Sequence, residues 1–221
     1  MTLTVLVGGG RDEALVRKAL APFIEAVAGG EVVCVVADEG DGVDLDRWRG
    51  VLRDAASVRP VVVQEGRPLA AVDLAGAAGV FVAGGLTPLY AELVVPAAQA
   101  MAGLPYAGFS AGSAIAAERA IVGGWRLEEL EVCSEDASED LDQLTVVDGL
   151  GRVPFAVDVH AAQWGTASRA IHAVKAGLVP EAWPVDEHTA LVVADGAEPQ
   201  VIGAGCALRI TPTAEGAVTV R

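Results

Sequence analysis

The sequence predicts an α/β fold, a three-layer αβα sandwich in which helices cover both faces of a mostly parallel sheet. Short, unbroken runs of Val, Ile and Ala alternate with segments of helical pattern through much of the chain. Strands that are buried on both faces have this composition, because neither face meets water. Near the C-terminal end, short apolar runs are separated by Asp-Gly, Gly-Ala-Gly and Glu-Gly turns, which are typical of antiparallel hairpins.

The first half of the chain supplies the parallel part of this sheet. Strands are predicted at Leu3–Val7, Glu31–Ala37, Pro60–Gln64 and Gly79–Val82, and in the apolar run before Ser110. Helices are predicted from Asp12 to about Val27, from Leu45 to about Ala56 and from Pro88 to about Met101, with a brief helix or loop at Leu74–Ala78. Asp12 can cap the first helix, and Pro22 is a possible break within it. Pro88 is well placed in the first turn of the third helix.

The second half of the chain differs in residue pattern, with an acidic run and several short strands. The run Ser134–Asp142 carries five carboxylates, and most of them are expected in a solvated loop. The strand Phe155–Val159 then delivers His160, and a helix follows from about Thr166 to Ala176. Tail strands are predicted at Ala190–Val193, Gln200–Ile202, Ala207–Ile210 and Ala217–Val220, as hairpins that close one edge of the sheet. Without an internal repeat or a linker of Pro and Ser, one domain over residues 1–221 is expected.

Composition narrows the class of protein. The 221 residues carry a net charge of −15 with only two lysines, Lys18 and Lys175, which argues against nucleic-acid binding because phosphate recognition needs a basic surface. No apolar run approaches the roughly 20 residues that span a bilayer. The N-terminus lacks the basic segment of a signal peptide. We therefore expect a cytoplasmic protein without nucleic-acid or membrane partners; its oligomeric state stays open, a homodimer included.

The three cysteines are far apart in the sequence. Cys34 and Cys206 lie in apolar, strand-like runs and are expected to be small core residues. Neither they nor Cys133 form a Cys/His cluster with the spacing of a metal site. No metal and no cofactor is predicted.

A Gly-x-Ser-x-Gly motif at 108–112 is the strongest chemical signal. An apolar run leads into Gly108-Phe109-Ser110-Ala111-Gly112, and small residues of helical pattern follow. This pattern predicts a sharp strand-to-helix turn that exposes the serine hydroxyl. The simpler alternative is a Gly-rich turn whose serine caps the helix, so the functional interpretation depends on a base, an acid and an oxyanion hole elsewhere.

Several residues could complete such a site. His160 is the best base because it follows a strand, whereas His172 falls inside a helix and is expected to be a surface or packing residue. His188 is a competitor. The N–H of Ala111 and one from Gly84 or Gly85 could stabilise the oxyanion. The acid stays open among Glu128, Glu129, Glu131, Glu135 and Asp136.

Several motifs follow one another along the chain: Gly-Gly at 84–85, Gly-Phe-Ser-Ala-Gly-Ser, Gly-Leu-Gly-Arg-Val-Pro with Val-Asp-Val-His after it, and Asp-Glu-His-Thr-Ala-Leu followed by Val-Ile-Gly-Ala-Gly. In these motifs the chain resembles the S51 serine peptidases, which comprise aspartyl dipeptidase (peptidase E) and cyanophycinase. The resemblance implies a fold similar to class I glutamine amidotransferases, which is flavodoxin-like. It implies Ser110 as nucleophile and His160 as base, with Glu128 as the acid and Glu129 as the fallback.

The resemblance also bears on the substrate. It implies a serine peptidase or amide hydrolase that cleaves a dipeptide or an isoaspartyl-type dipeptide. Arg169, Arg126 and Thr87 are the candidate substrate-binding residues; if the substrate has an N-terminal acidic side chain, Arg169 or Arg126 is its expected partner, since a guanidinium binds a carboxylate bidentately. The alternative for both arginines is a surface ion pair with the many local carboxylates. The chain departs from the family at Val159 and Ala161, where cyanophycinases have Gln and Phe, and at Leu86-Thr87, where peptidase E has Asn. The alternatives are an α/β-hydrolase esterase and a non-catalytic, amidotransferase-like binding protein.

Overall fold

A computed structural model describes residues 3–221 of the chain. Its strands are β1 (Leu3–Val7), β2 (Glu31–Ala37), β3 (Ser57–Val63), β4 (Gly79–Val82), β5 (Tyr106–Phe109), β6 (Arg119–Gly123), β7 (Arg126–Leu127), β8 (Leu130–Glu131), β9 (Thr145–Asp148), β10 (Ala156–Val159), β11 (Ala182–Val185), β12 (Thr189–Ala194), β13 (Gln200–Gly203), β14 (Ile210–Pro212) and β15 (Val218–Val220). Its helices are α1 (Glu13–Val27), α2 (Leu45–Val51), α3 (Thr87–Val94), α4 (Ala98–Met101), α5 (Ala111–Ala114), α6 (Ala161–Trp164) and α7 (Ala167–Lys175). Short 3₁₀ turns lie at Ala71–Leu74, Val95–Ala97 and Glu135–Ala137.

A seven-stranded sheet forms the centre of the fold, in the order β13-β12-β1-β5-β4-β2-β3. The five strands from β1 to β3 in that order are parallel, and β12 and β13 add an antiparallel edge. Every residue of β4 and β5 is buried, as expected for strands covered on both faces. The predicted α/β class, with a mostly parallel sheet flanked by helices and antiparallel strands after it, is confirmed.

A second sheet of four strands has the order β10-β11-β14-β15. The tail prediction was therefore only half right: β12 and β13 close one edge of the central sheet, but β14 and β15 extend the second one. The strand β11 was not predicted at all. It lies parallel to β10, with Val159 opposite Val185, and its interior contains Pro184, which disfavours a strand prediction from sequence.

The helices follow the predictions in part; α2, predicted to reach Ala56, ends at Val51. Asp12 caps α1, because its carboxylate accepts from Ala14 N (2.9 Å) and Leu15 N (3.1 Å), and the helix continues through Pro22. The helix predicted from Pro88 to Met101 is interrupted by the 3₁₀ turn Val95–Ala97. Pro96 explains this interruption, because proline has no N–H to donate to the preceding turn.

The core of the central sheet is built from valine strands and an aromatic cluster. Trp48 of α2 packs on Phe81 and Phe109, with ring centroids 5.5 and 5.2 Å apart. Cys34 is buried in this core as predicted, and burial raises the pKa of its thiol to about 12. The prediction for Cys206 was wrong: this residue is exposed, because β14 begins only at Ile210. Among residues 3–221, none of the helices combines the length and the apolar character that crossing a membrane requires.

Candidate active site

Ser110 lies at the turn between β5 and α5. Its backbone has φ +51° and ψ −112°, a conformation that non-glycine residues rarely adopt and that costs energy unless the surroundings enforce it. Gly108 and Gly112 allow this conformation because they let backbone segments approach closely. A Cβ at Gly108 would collide with the Gly112 carbonyl, and a Cβ at Gly112 would collide with the Val82 carbonyl. Although Ser110 is the N-cap residue of α5, its hydroxyl makes no capping hydrogen bond. The alternative in which the Ser110 side chain caps the helix is therefore wrong.

His160 is the hydrogen-bond partner of that hydroxyl. Its Nε2 lies 2.8 Å from Ser110 Oγ, although the two residues come from different sheets. The helix α5 packs against both β5 and β10, which brings the ends of these strands together. Trp164 stacks on the imidazole at a centroid distance of 3.9 Å. Gly9 also approaches the imidazole so closely that a Cβ there would collide with the ring. These contacts fix the orientation of the imidazole.

Glu187 is the carboxylate that meets His160. Its Oε1 lies 2.8 Å from His160 Nδ1, and its own N–H donates to Gln163 Oε1 at 3.0 Å. Because an ionised carboxylate only accepts, the proton between the two groups belongs on Nδ1. Nε2 then presents its lone pair to the Ser110 hydroxyl. This is the tautomer that a general base requires.

The protonation of His160 follows from two opposing effects. Burial, the larger effect, lowers the pKa of the imidazole, and the hydrogen bond and negative charge of Glu187 raise it. The net shift is downward from the ordinary value of 6.5. His160 is therefore neutral at pH 7, the form that can accept a proton from the serine.

The prediction that Glu128 orients His160 was wrong. Glu128 lies in the turn between β7 and β8 with its backbone N–H donating to Gln143 Oε1 at 3.0 Å, and it is exposed. The fallback, Glu129, pairs with Arg126 at 3.5 Å and its side chain is 99% exposed. Glu131 and Glu135 are also exposed, and Asp136 lines the cleft without contacting His160. The sequence analysis missed Glu187 because it did not predict the strand β11. The parallel pairing of β11 with β10 places residues 186 and 187 beside residue 160.

The two other histidines have different surroundings. His188 packs on Gly10, and its Nε2 accepts from the N–H of Asp12 at 3.1 Å. His172 lies in the last turn of α7. Neither contacts Ser110.

Ala111, Gly84 and Gly85, the predicted oxyanion-hole residues, lie near Ser110. A Cβ at Gly84 would lie 3.0 Å from Ser110 Cβ, and Ala111 begins α5. Within residues 3–221, the N–H groups of Ala111, Gly84 and Gly85 have no hydrogen-bond partner, whereas the neighbouring Leu86 N–H is held by Glu39 at 2.7 Å. Three backbone donors near Ser110 are thus left unpaired.

A cleft of about 440 Å³ opens onto Ser110, His160 and Glu187. The acidic run predicted as a solvated loop forms one wall of it, through Asp136, Ser138, Glu139 and Asp140. Glu139 is held there by the N–H of Thr87 at 2.8 Å, and burial raises the pKa of its carboxyl. Most of its carboxylates are exposed, as expected for a solvated loop, because Glu135, Asp136, Asp140 and Asp142 are all exposed and only Glu139 is half-buried.

None of the three residues predicted to bind substrate lines this cleft. Arg169 is 3% exposed and forms a bidentate pair with Asp158, at 2.9 Å from Nε and 2.7 Å from Nη2. Its Nη1 donates to the carbonyls of Gly124 and Ala137. Arg126 pairs with Glu129 and lies over the Trp125 ring. Thr87 is buried at the start of α3.

Arg169 instead stabilises the fold. Burial lowers the pKa of its guanidinium, but Asp158 more than offsets this effect and the net shift is upward. Replacement by methionine is expected to lower the free energy of unfolding by about 3–5 kcal/mol, because it leaves Asp158 as an uncompensated buried charge. Urea denaturation measures this loss.

Arg119→Met is the matched control for this prediction. Arg119 pairs with Asp148 on the surface, where both side chains are largely exposed, and the same substitution should cost no more than about 1 kcal/mol. Equal losses for the two variants would contradict a structural role for Arg169.

Comparison with known proteins identifies solved structures with a similar fold, but it identifies no sequence family for this chain. No protein-family model and no curated protein matches the chain. Nine chains of solved structures match it, among them a protein from Listeria monocytogenes EGD-e described as a "Putative Peptidase E Protein", with 16% identity, a TM-score of 0.62, and coverage of 93% of this chain and 100% of that chain. At this level of identity the likeness concerns the fold alone. The chain therefore shares the mixed α/β fold of that protein.

Proposed function

We propose that this protein is a serine hydrolase that cleaves the amide bond of a short peptide, such as a dipeptide or an isoaspartyl-type dipeptide. One observation carries the proposal: Ser110, His160 and Glu187 form a continuous hydrogen-bonded chain, with 2.8 Å at each link. A serine hydroxyl is inert until a base can accept its proton and a third group orients that base. The fold of the Listeria protein and the residue resemblance to S51 peptidases support the same reaction class.

The first half of the proposed reaction forms an acyl-enzyme. Ser110 Oγ attacks the substrate carbonyl carbon, and its proton moves to His160 Nε2. The carbonyl electrons become an oxyanion, which the N–H groups of Ala111 and Gly85, with Gly84 beside them, stabilise. When the intermediate collapses, the C–N bond breaks and the leaving amine takes the proton from His160.

The second half releases the acid. Water attacks the acyl carbon as its proton passes to His160 Nε2, and collapse of this intermediate breaks the bond to Ser110 Oγ. The serine oxygen recovers the proton from His160. Glu187 stays ionised throughout and stabilises the imidazolium in both halves.

The cleft favours a small substrate. Its volume of about 440 Å³ is at the lower end of the range for ligand pockets, roughly 300–1,000 Å³. The loop that contains Asp136 and Glu139 forms one wall. This enclosure suits a dipeptide better than a segment of a folded protein.

Covalent labelling tests the proposed nucleophile without knowledge of the substrate. A fluorophosphonate should modify Ser110, located by mass spectrometry, at a rate that follows the neutral fraction of His160. Because burial lowers the pKa of His160 below its ordinary value of 6.5, the rate should be near its maximum at pH 7 and fall as the pH falls through the pKa of the imidazole.

Urea-denatured protein is the control for this experiment. Denaturation separates Ser110 from His160, so labelling should be lost. Native protein that stays unlabelled, or whose labelling is equal before and after denaturation, would contradict an activated serine. Hydrolysis of a dipeptide panel that includes Asp-X and β-Asp-Arg members then identifies the substrate.

A further inference from the structure

The cleft is predominantly acidic, but it contains two cationic side chains. Glu39, Glu139, Asp140 and Glu187 are among the residues that line it, together with Arg11 and Arg47. Arg11 is exposed, whereas Arg47 is half-buried in the first turns of α2. Arg47 therefore stands out as a positive charge within a negative cleft.

Arg47 is held by aromatic rings instead of by a carboxylate. Its guanidinium carbon lies 4.8 Å from the Trp48 ring centroid and 5.5 Å from that of Phe109. Within the described residues 3–221, the guanidinium donates one hydrogen bond, a long contact of 3.5 Å with the Gly10 carbonyl. Such ring contacts restrain a guanidinium through its face and leave the N–H groups at its edge available.

Among residues 3–221, Arg47 is one of five arginines without an ion pair, together with Arg11, Arg53, Arg152 and Arg221. The sequence has 30 acidic and 15 basic residues, so partners are plentiful. Eight arginines in the described residues 3–221 form ion pairs: Arg17, Arg49, Arg59, Arg67, Arg119, Arg126, Arg169 and Arg209. Arg47 is not among them, although Glu39 lines the same cleft.

We propose that Arg47 is the specificity-determining residue of this site and binds a carboxylate of the substrate. The inference rests on the proposed function. Phe109, which lies under the guanidinium, directly precedes Ser110, so the anchored carboxylate lies close to the bond that is cleaved. A guanidinium edge can bind it through two parallel hydrogen bonds. The acidic residues around Arg47 repel any carboxylate that misses this position and attract the free amino group of a peptide.

The carboxylate has two chemical sources, and substrate pairs distinguish them. Ala-Ala and its C-terminal amide differ only at the C-terminal carboxylate. Asp-Ala and Asn-Ala differ only at a side-chain carboxylate. We define the acid preference as the ratio of kcat/KM for the acid to that for the amide within each pair.

Arg47→Met should lower kcat/KM for the carboxylate that Arg47 binds by about 10- to 100-fold, the range for a charge-assisted hydrogen-bonded pair. The acid preference of that substrate pair should fall to one or below, because the acidic residues remain. Arg47→Lys should restore part of the preference, since an ammonium keeps the charge but not the fork of two donors. Arg53→Met, at an exposed position outside the cleft, makes the same charge change and should leave the preference unaltered.

Protection from labelling provides a second measurement that needs no turnover. In wild-type protein, the acid of the responding pair should slow fluorophosphonate modification of Ser110 more strongly than the amide, and Arg47→Met should remove the difference. An acid preference that is the same in Arg47→Met and wild type, or equal losses in Arg47→Met and Arg53→Met, would overturn the inference. Absence of any labelling of wild-type Ser110 would instead overturn the proposed function, so the two failures are distinguishable.

Discussion

Replacement of Ser110 by alanine is expected to lower the turnover of the best dipeptide substrate by about 10⁴- to 10⁶-fold, the loss typical of removing a nucleophile that acts with a base as one unit. The substitution deletes only the hydroxyl that lies 2.8 Å from His160 Nε2. Alanine has the same Cβ as serine, so it adds no backbone strain at φ +51°. The free energy of unfolding should change by no more than about 1 kcal/mol, the usual net contribution of a hydrogen bond.

Ser113→Ala is the matched control, because this second serine lies on the same short helix. Ser113 is fully buried and its hydroxyl donates to the Val7 carbonyl at 2.8 Å. Its loss should lower the free energy of unfolding, by about 1–3 kcal/mol for a buried acceptor left unpaired, while turnover by the folded protein continues. Initial rates with urea denaturation separate the two effects. Retained wild-type turnover in Ser110→Ala would rule out the proposed reaction.

Replacement of Glu187 by glutamine is expected to lower kcat by about 10²- to 10⁴-fold, in line with loss of the orienting acid in other serine hydrolases. The amide has nearly the same shape, so packing beside His160 and Gln163 is retained. It cannot stabilise the imidazolium by charge, and its NH₂ can instead donate to Nδ1, which would leave the proton on Nε2. The stability of the folded protein should change little, since Glu187 is at the cleft surface.

Glu187→Gln should also change the pH dependence of kcat/KM in a defined direction. Proton uptake by His160 removes the base, so kcat/KM falls as the pH falls through the pKa of the imidazole, which lies below 6.5. Glu187 raises that pKa by hydrogen bonding and charge. Glu187→Gln should therefore move the acid limb of the kcat/KM profile to lower pH while lowering its plateau.

Glu128→Gln is the control that separates the two candidate acids. Glu128 is exposed and contacts Gln143 through its backbone, so the variant should keep kcat within about twofold of wild type, as surface substitutions usually do. A loss in Glu128→Gln that matches or exceeds the loss in Glu187→Gln would contradict the assignment of Glu187.

Much of the fold was predictable because its signals are local. Valine-rich runs predicted β1 and β2, and Asp12 predicted the start of α1. The spacing of Gly108, Ser110 and Gly112 predicted the sharp turn. Only glycine, which has no side chain, allows the close backbone contacts at positions 108 and 112. The juxtaposition of Ser110 and His160 also matched the prediction, because both residues follow strands.

The choice of acid and of substrate contacts was not predictable in this way. Glu187 reaches His160 only because β10 and β11 pair in parallel with Val159 opposite Val185, and Arg169 is withdrawn from the cleft because Asp158 faces it in the interior. These arrangements join segments far apart in the sequence.

The sequence by itself thus determined strands such as β1 and β2, the start of α1 and the turn at Ser110, since those outcomes follow from residues that are neighbours in the chain. Only the tertiary structure decided that β11 pairs with β10, which carboxylate contacts the imidazole, and that Arg47 lies against aromatic rings in the cleft. The physical reason is that a short run such as β11 has no stable conformation of its own, and its partner and register are set by the packing of the whole chain.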